Sequence, residues 1–137
     1  MSSFIKNISY YVPNKVVTNT DIIKDFPNWS EQKISVKIGI NKRYVSETQT
    51  AGDLAYCAAE KLFEEHRINR SNIDAIILCT QSPDYFLPPT ACELQYKLDL
   101  SKDVMAFDFD LGCSGFIYGL AIAKGFITAG FAKNVLL

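Results

Sequence analysis

The sequence contains a single histidine, His66, and none of its four cysteines lies in a Cys-x-x-Cys pair. Zinc sites are built from cysteines and histidines at short, regular spacings, so this pattern argues against a zinc-binding class. No charge of one sign dominates either, because 14 basic residues face 15 acidic ones without a long run of either. A nucleic acid or an anionic membrane binds a concentrated basic surface, so we expect neither as a partner.

Long apolar runs are also missing from the chain. No run approaches the roughly 20 residues of a membrane span, and the first seven residues, MSSFIKN, are interrupted by a charge and an amide. We therefore expect a cytoplasmic protein with free thiols. The 137 residues, 48% of them hydrophobic, are enough for one domain with its own core.

Strand and helix signals alternate along the chain. Strands are predicted at residues 4–12, 16–18, 42–45, 73–80, 104–111 and 135–137. Helices are predicted from Asp21 behind a Thr20 cap, from Ser30 to Gly39, and over residues 50–67, 90–98 and 114–129. Residues 73–80 are nearly all apolar, which is typical of a strand buried on both faces in a parallel sheet. The pattern predicts an α/β fold, with a sheet covered by helices on both faces.

Cys113 stands at the junction between a predicted strand and a predicted helix, in the run DLGCSGF at residues 110–116. Backbone N–H groups at a helix N-terminus stabilise a thiolate and an adjacent oxyanion. Small neighbours such as Ser114 and Gly115 let a substrate approach closely. The position therefore favours a nucleophile, although cysteine is also a common packing residue.

Alternation along the preceding strand places Phe107 and Phe109 on one face, together with Cys113 if the register continues. Asp108 and Asp110 then point away from the thiol, which keeps their negative charges off its face. The other cysteines lie in predicted helices and a strand, where we expect simple core or helix packing: Cys57, Cys79 and Cys92. His66 ends a helix between charged residues and is expected to be a solvated surface group.

Four segments in order resemble the β-ketoacyl-acyl carrier protein synthase III family, condensing enzymes of the thiolase fold. The segments are YYVPNKVVTN at 10–19, KIGINKR at 37–43, DAIILCTQS at 74–82 and CSGFIYGL at 113–120. The resemblance covers nearly the whole chain, and the cysteine segment is its most specific part. It implies a thiolase-like fold, with residues 1–137 forming the N-terminal half-domain that carries the nucleophile.

The resemblance implies a mechanism. Cys113 attacks an acyl thioester, carries the acyl group, and yields it to a carbanion made by decarboxylating malonyl-acyl carrier protein. No cofactor is implied beyond the substrates, acyl-coenzyme A or acyl-acyl carrier protein. In the family, a histidine and an asparagine from the second half assist decarboxylation. That half is absent from this sequence, which is expected to be the front of a larger unit or a shortened form.

Two substrate-binding positions depart from the family pattern. Lys33 and Lys37 stand where the family has a tryptophan and an arginine that hold the adenine of coenzyme A, and lysine cannot stack as a flat ring does. Trp29, one helical turn earlier, is either a replacement aromatic surface or a hydrophobic staple at the helix start. An acyl carrier protein donor or a modified coenzyme A pose is therefore expected to fit better than the usual acetyl-coenzyme A.

Leu87 stands where the family has a phenylalanine that reaches across a homodimer to the acyl pocket of the other subunit. A smaller leucine leaves room for longer or branched acyl chains, an effect on selectivity of about 1–3 kcal/mol. Exposed apolar groups near this loop also predict a homodimer. Two alternatives remain open: a related condensing enzyme of polyketide or hydroxymethylglutaryl-type chemistry, and a non-catalytic assembly domain.

Overall fold

The computed structural model describes residues 3–137, and its helices and strands form two compact units. One unit spans Val12–Gln49 and is called the hairpin unit. The other joins the residues up to Tyr11 with Thr50–Leu137 and is called the α/β unit. The assignment of residues 1–137 to one half-domain stays a prediction.

The hairpin unit is built on two antiparallel strands, β1 (Lys15–Thr18) and β2 (Lys42–Val45). Two helices connect them, α1 (Asn19–Asp25) and α2 (Glu31–Ile38). Asn19 is buried, donates to the carbonyl of Ile40 at 3.0 Å and accepts from Arg43 at 2.7 Å. This amide therefore ties the start of α1 to the second strand and to the residues before it.

The caps of these helices follow the sequence signals with one correction. Ser30 caps α2 and Gly39 ends it at a φ of 74°, as predicted. The prediction that Thr20 caps α1 is wrong, because Thr18 is the cap and forms a reciprocal capping box with Asp21. The hydrogen bonds from Thr18 hold the pKa of Asp21 well below its usual value. A carboxylate three residues after Thr18 decides the position of the cap.

The α/β unit contains a parallel sheet whose described strands lie in the order β4-β3-β5. The strands are β3 (Ala75–Cys79), β4 (Met105–Phe109) and β5 (Val135–Leu136). The central strand pairs with β4 from Ala75↔Met105 to Cys79↔Phe109. Ala75, Ile76 and Ile77 of the central strand are almost fully buried, which confirms the prediction of a buried parallel strand.

Helices cover both faces of this sheet, as predicted. They are α3 (Ala51–His66), α4 (Thr90–Lys97) and α5 (Gly115–Ala129). On one face α4 packs against β3 and β4, with α3 against α4. On the other face the ring of Phe107 meets that of Phe126 on α5, with 5.9 Å between centroids. The buried core on the α3 and α4 side consists of Ala59, Phe63, Ile73, Ile76, Ala91, Leu94, Leu98, Leu100 and Val104.

The predicted strand at residues 4–12 is wrong, because residues 3–13 have no regular secondary structure. Phe4 and Ile8 are mostly exposed there. Ser9 instead donates a hydrogen bond to Glu65 on α3 at 2.6 Å, and the Lys61 ammonium donates to the carbonyl of Tyr10. A strand needs a partner for its backbone groups, and alternation of apolar residues alone does not supply one. Within residues 3–137, no helix combines the length and the apolar character that a bilayer span needs.

Candidate active site

Cys113 lies in the turn that joins β4 to α5, and its side chain is exposed to solvent. The strand ends at Phe109 and the helix begins at Gly115, so the cysteine stands at a strand-to-helix corner, as predicted. The strand register does not continue to residue 113. The expectation that Cys113 shares a strand face with Phe107 and Phe109 is therefore wrong, because the backbone has already left the sheet.

Cys113 directly precedes the N-terminus of α5. The Gly115 N–H donates to the carbonyl of Gly112 at 2.8 Å, which closes a tight turn around the cysteine. Ser114 is the N-cap but makes no side-chain capping bond. N–H groups in the first turn of a helix have no partner within the helix, and they carry its positive end. Such groups stabilise a thiolate and the oxyanion of an attacked thioester.

Two side chains at the end of β3 lie against the Cys113 turn, and sequence reasoning missed them in this role. The Cys79 thiol donates to the carbonyl of Leu111 at 3.3 Å. The amide oxygen of Gln81 lies 3.0 Å from the point where a Cβ on Gly112 would stand. The carboxyl ends of neighbouring parallel strands meet at one sheet edge, so the order of strands and helices was the signal available to find them.

The two acidic residues before the turn, Asp108 and Asp110, have different surroundings. The carboxylate of Asp108 accepts the backbone N–H groups of Thr90 and Ala91 at the start of α4, each at 2.6 Å. It therefore faces the helix on the opposite side of the sheet from α5, as the alternation predicts. Asp110 is an exposed residue beyond the end of the strand.

The remaining cysteines lie outside the buried core, while the histidine is exposed as expected. Cys57, Cys79 and Cys92 are half-buried, while Cys113 is exposed. The Cys92 thiol donates to the carbonyl of Ala106 at 3.7 Å. His66 is the exposed last residue of α3. Among the four thiols, Cys113 is therefore the one most open to a substrate.

Trp29, Lys33 and Lys37 come together in the hairpin unit. The Lys33 ammonium lies 4.7 Å from the centroid of the Trp29 ring, and that of Lys37 lies 5.9 Å from it. Trp29 precedes the Ser30 cap of α2, so the three residues follow one another at one-turn spacing along one side of the helix. Their substrate-binding role stays a prediction.

Leu87 lies at the exposed tip of the loop between β3 and α4, next to a fully exposed Phe86. Asp84 fixes the stem of this loop. Its carboxylate accepts the Thr50 hydroxyl at 2.6 Å and the Gly52 N–H at 2.9 Å, and its own N–H donates to the Thr90 hydroxyl at 3.0 Å. A fixed stem therefore presents an apolar tip to solvent.

An apolar cavity of about 360 Å³ lies within the α/β unit. Cys79 and Phe116 line it close to the turn, and Leu62 and Leu94 line it on the side of the core. Cys113 is not one of the residues that line this cavity. Over residues 3–137, no three histidine, cysteine or acidic side chains are grouped so that they could hold a metal ion.

Comparison with known proteins identifies the family. The family model of 3-oxoacyl-[acyl-carrier-protein] synthase III matches residues 107–137, the segment that contains Cys113. The β-ketoacyl-[acyl-carrier-protein] synthase III of Campylobacter fetus is 40% identical over 97% of this chain. A crystal structure of a 3-oxoacyl-(acyl-carrier-protein) synthase III superposes on 94% of the chain with a TM-score of 0.88 and 43% identity. The corresponding enzyme of Aquifex aeolicus covers 93% of it, with a TM-score of 0.83 and 40% identity.

This chain belongs to the β-ketoacyl-[acyl-carrier-protein] synthase III family, and it has the thiolase-like fold of that family. The matches run along almost all of the chain, which confirms the resemblance drawn from its motifs. The chain spans 40% of the length of the Campylobacter fetus protein, and 39% and 41% of the two solved chains.

Proposed function

We propose that this chain is the nucleophile-bearing part of a β-ketoacyl-acyl carrier protein synthase III, an acyltransferase that starts fatty acid or related lipid synthesis. The observation that carries the proposal is the exposed Cys113 directly before the N-cap of α5, inside the segment that matches the family model. No other cysteine of the described chain combines exposure with a helix N-terminus.

The reaction has two halves. The Cys113 thiolate attacks the carbonyl carbon of an acyl thioester, the resulting oxyanion is held by backbone N–H groups, and the thiol of the donor leaves. Malonyl-acyl carrier protein then loses carbon dioxide, and the electron pair left on its α-carbon attacks the acyl-cysteine carbonyl. A carbon–carbon bond forms, and the Cys113 thiolate is released. The acyl carrier protein and the acyl thioester are the partners that this function requires.

Acylation of Cys113 is the step that tests the proposal most directly. After incubation with acyl thioesters, mass spectrometry is expected to find the added acyl group on Cys113. Cys113→Ala abolishes the adduct, whereas the matched variant Cys92→Ala keeps it, because Cys92 is half-buried and bonded to a strand carbonyl. An acyl group on any other residue, or none at all, contradicts the proposal.

We propose further that the acyl donor is delivered on acyl carrier protein rather than as coenzyme A. The Trp29 ring carries the ammonium groups of Lys33 and Lys37, so a flat base would have to displace them in order to stack. Neither ammonium forms a salt bridge with a carboxylate of the described chain. Contact with an exposed ring is worth only about 0.5–1 kcal/mol, so both lysines are available to the phosphate and acidic surface of a carrier protein.

Removing the two ammonium groups tests this choice of donor. Lys33→Ala with Lys37→Ala is expected to raise KM for acyl-acyl carrier protein several-fold, and the effect should shrink as salt is added. Lys42→Ala is the matched control, because Lys42 belongs to the same unit and lies 5.4 Å from the Tyr44 ring. A larger effect on acyl-coenzyme A than on the carrier-bound donor contradicts the proposed donor.

A further inference from the structure

The Cys79 side chain is hydrogen-bonded to the backbone directly before the Cys113 turn. Cys79 is the last residue of β3, and it is paired with Phe109, the last residue of β4. From there its thiol donates to the carbonyl of Leu111 at 3.3 Å. In the described chain, the backbone bonds between these two strands end where the Thr80 N–H meets the carbonyl of Phe109 at 3.2 Å. The Cys79 thiol therefore adds one more hydrogen bond between the two chain segments, just beyond the ends of the strands.

Cys79 also lies against the chain directly after the turn. A Cβ placed on Gly115 would overlap the Cys79 sulfur, while the same point stands at an ordinary 3.4 Å from the Cβ of Leu111 and 3.8 Å from the Cβ of Cys79. Gly115 is buried and has no positive φ, so the space, rather than the backbone conformation, accounts for glycine there. The sulfur atom occupies the place that a side chain at residue 115 would need.

The two contacts lie on either side of the nucleophile. One fixes the carbonyl of Leu111, and the other fixes the first residue of α5. Cys113 lies between them, in a turn closed by the Gly115 N–H. Movement of either end of the turn would shift the thiol relative to the first N–H groups of the helix, and electrostatic help from a helix terminus falls off within a turn.

We propose that Cys79 is a positioning residue for the nucleophile: its sulfur holds the Cys113 turn against the first turn of α5. The inference rests on the proposed role of Cys113. The sulfur acts on Cys113 through its size and its hydrogen bond.

Alkylation of Cys113 by a limiting amount of iodoacetamide, followed by mass mapping, measures this positioning. Rates are expressed relative to Cys57 in the same molecules. In the unsubstituted protein, Cys113 is expected to react faster than Cys57, Cys79 and Cys92. Cys79→Ala is expected to slow Cys113 about three-fold through loss of the hydrogen bond. Cys79→Ser keeps a donor and is expected to recover most of the rate.

A pair of substitutions tests the packing contact. Gly115→Ala places a methyl group on the sulfur and is expected to slow Cys113 about ten-fold, within the range found for residues in direct contact. Combining Gly115→Ala with Cys79→Ala removes the overlapping sulfur and is expected to bring the rate back up to that of Cys79→Ala alone. Gly125→Ala on the same helix meets no atom within 4 Å and serves as the matched control. In an acyl-transfer assay, Cys79→Ala and Gly115→Ala should each lower kcat with KM unchanged.

Each result separates this inference from the proposed function. If Cys113 of the unsubstituted protein is not the fastest thiol, the proposed function itself fails. If it is the fastest but the double variant is no faster than Gly115→Ala alone, only the positioning role fails. Should Gly115→Ala not fold, the comparison of Cys79→Ala with Cys79→Ser decides: equal rates overturn the inference, and recovery with serine supports it.

Discussion

The carboxylate of Asp108 on β4 accepts the backbone N–H of Thr90 at 2.6 Å, where α4 begins. Its second oxygen accepts the N–H of Ala91 at the same distance. Pro89, the N-cap residue, makes no side-chain capping bond, so a side chain from a strand caps this helix. The contact joins the helix to the strand that leads into the Cys113 turn.

Asp108→Ala is expected to destabilise the protein by about 1–3 kcal/mol, because it leaves two N–H groups at a buried helix start without their partner. Asp110→Ala, an exposed neighbour, is the control and should change stability little. Urea unfolding followed by circular dichroism measures both. Equal effects for the two variants would show that the cap does not contribute.

Gly52→Ala is expected to destabilise the protein, although alanine is normally the better helix residue. A Cβ at residue 52 would overlap the Asp84 carboxylate and stand 2.8 Å from the Thr90 methyl group. We expect a net loss of about 1–3 kcal/mol, the usual cost of overpacking. Gly125→Ala is the control on open surface and should be neutral or stabilise by up to about 1 kcal/mol. Thermal unfolding that ranks the two variants in the opposite order would contradict this contact.

Local signals predicted most of the elements, because apolar periodicity and caps act over a few residues. Ser30 and Gly39 mark the ends of α2, and the apolar run at 73–80 marks the central strand. The Thr18 cap was also readable, since an acidic residue follows three positions later and completes a capping box. The prediction of a Thr20 cap therefore lies two residues too late.

Contacts between distant residues could not be read from the sequence in the same way. Asp84 reaches Thr50 across 34 positions, and the Cys79 thiol reaches Leu111 across 32. Neither spacing has a characteristic pattern, because such pairs are set by strand order and helix packing. Cys113 was found because its environment, a strand-to-helix corner, is local. The residues that hold the corner were missed because they come from the neighbouring strand.

The Thr50 cap of α3 predicts a specific sensitivity to acid. The Thr50 backbone N–H donates to Asp53, and with help from Lys97 this bond lowers the pKa of Asp53 below its usual 3.8. A lowered folded-state pKa means that the carboxylate stabilises the fold above about pH 4 and that this contribution is lost as the pH falls below it. Asp53→Asn is therefore expected to lower the melting temperature at neutral pH. On acidification its melting temperature should fall by fewer degrees than that of the unsubstituted protein.

Glu64→Gln is the control for this acid sensitivity. Glu64 lies on the same helix but is exposed and outside the capping box. The melting temperature of the Glu64→Gln variant should follow that of the unsubstituted protein at every pH. If Asp53→Asn and the unsubstituted protein lose the same number of degrees between neutral pH and about pH 3, the cap does not carry the expected pH dependence.

The loop tip at Phe86 and Leu87 predicts self-association. Phe86 is fully exposed although the stem of the loop is fixed by Asp84, and β4 is an edge strand of the described sheet. An unpaired strand edge and an exposed apolar loop tip are each the kind of surface that a two-fold contact covers. The ring of Phe107 packs on Phe126 within the same chain, so it does not add to this surface. Phe86 is therefore the residue to substitute in a test of self-association.

Phe86→Asp is expected to convert a homodimer at micromolar concentration into a monomer, because it places a charge in a desolvated patch. Tyr96→Asp is the matched control, since Tyr96 is also strongly exposed but lies on α4. Light scattering coupled to size-exclusion chromatography gives the mass of each variant. A monomeric unsubstituted protein, or a dimer that Tyr96→Asp weakens as much as Phe86→Asp does, would place the association surface elsewhere. With a dimer centred on the loop, Leu87 lies at the interface, and the size of its side chain would act on the neighbouring subunit.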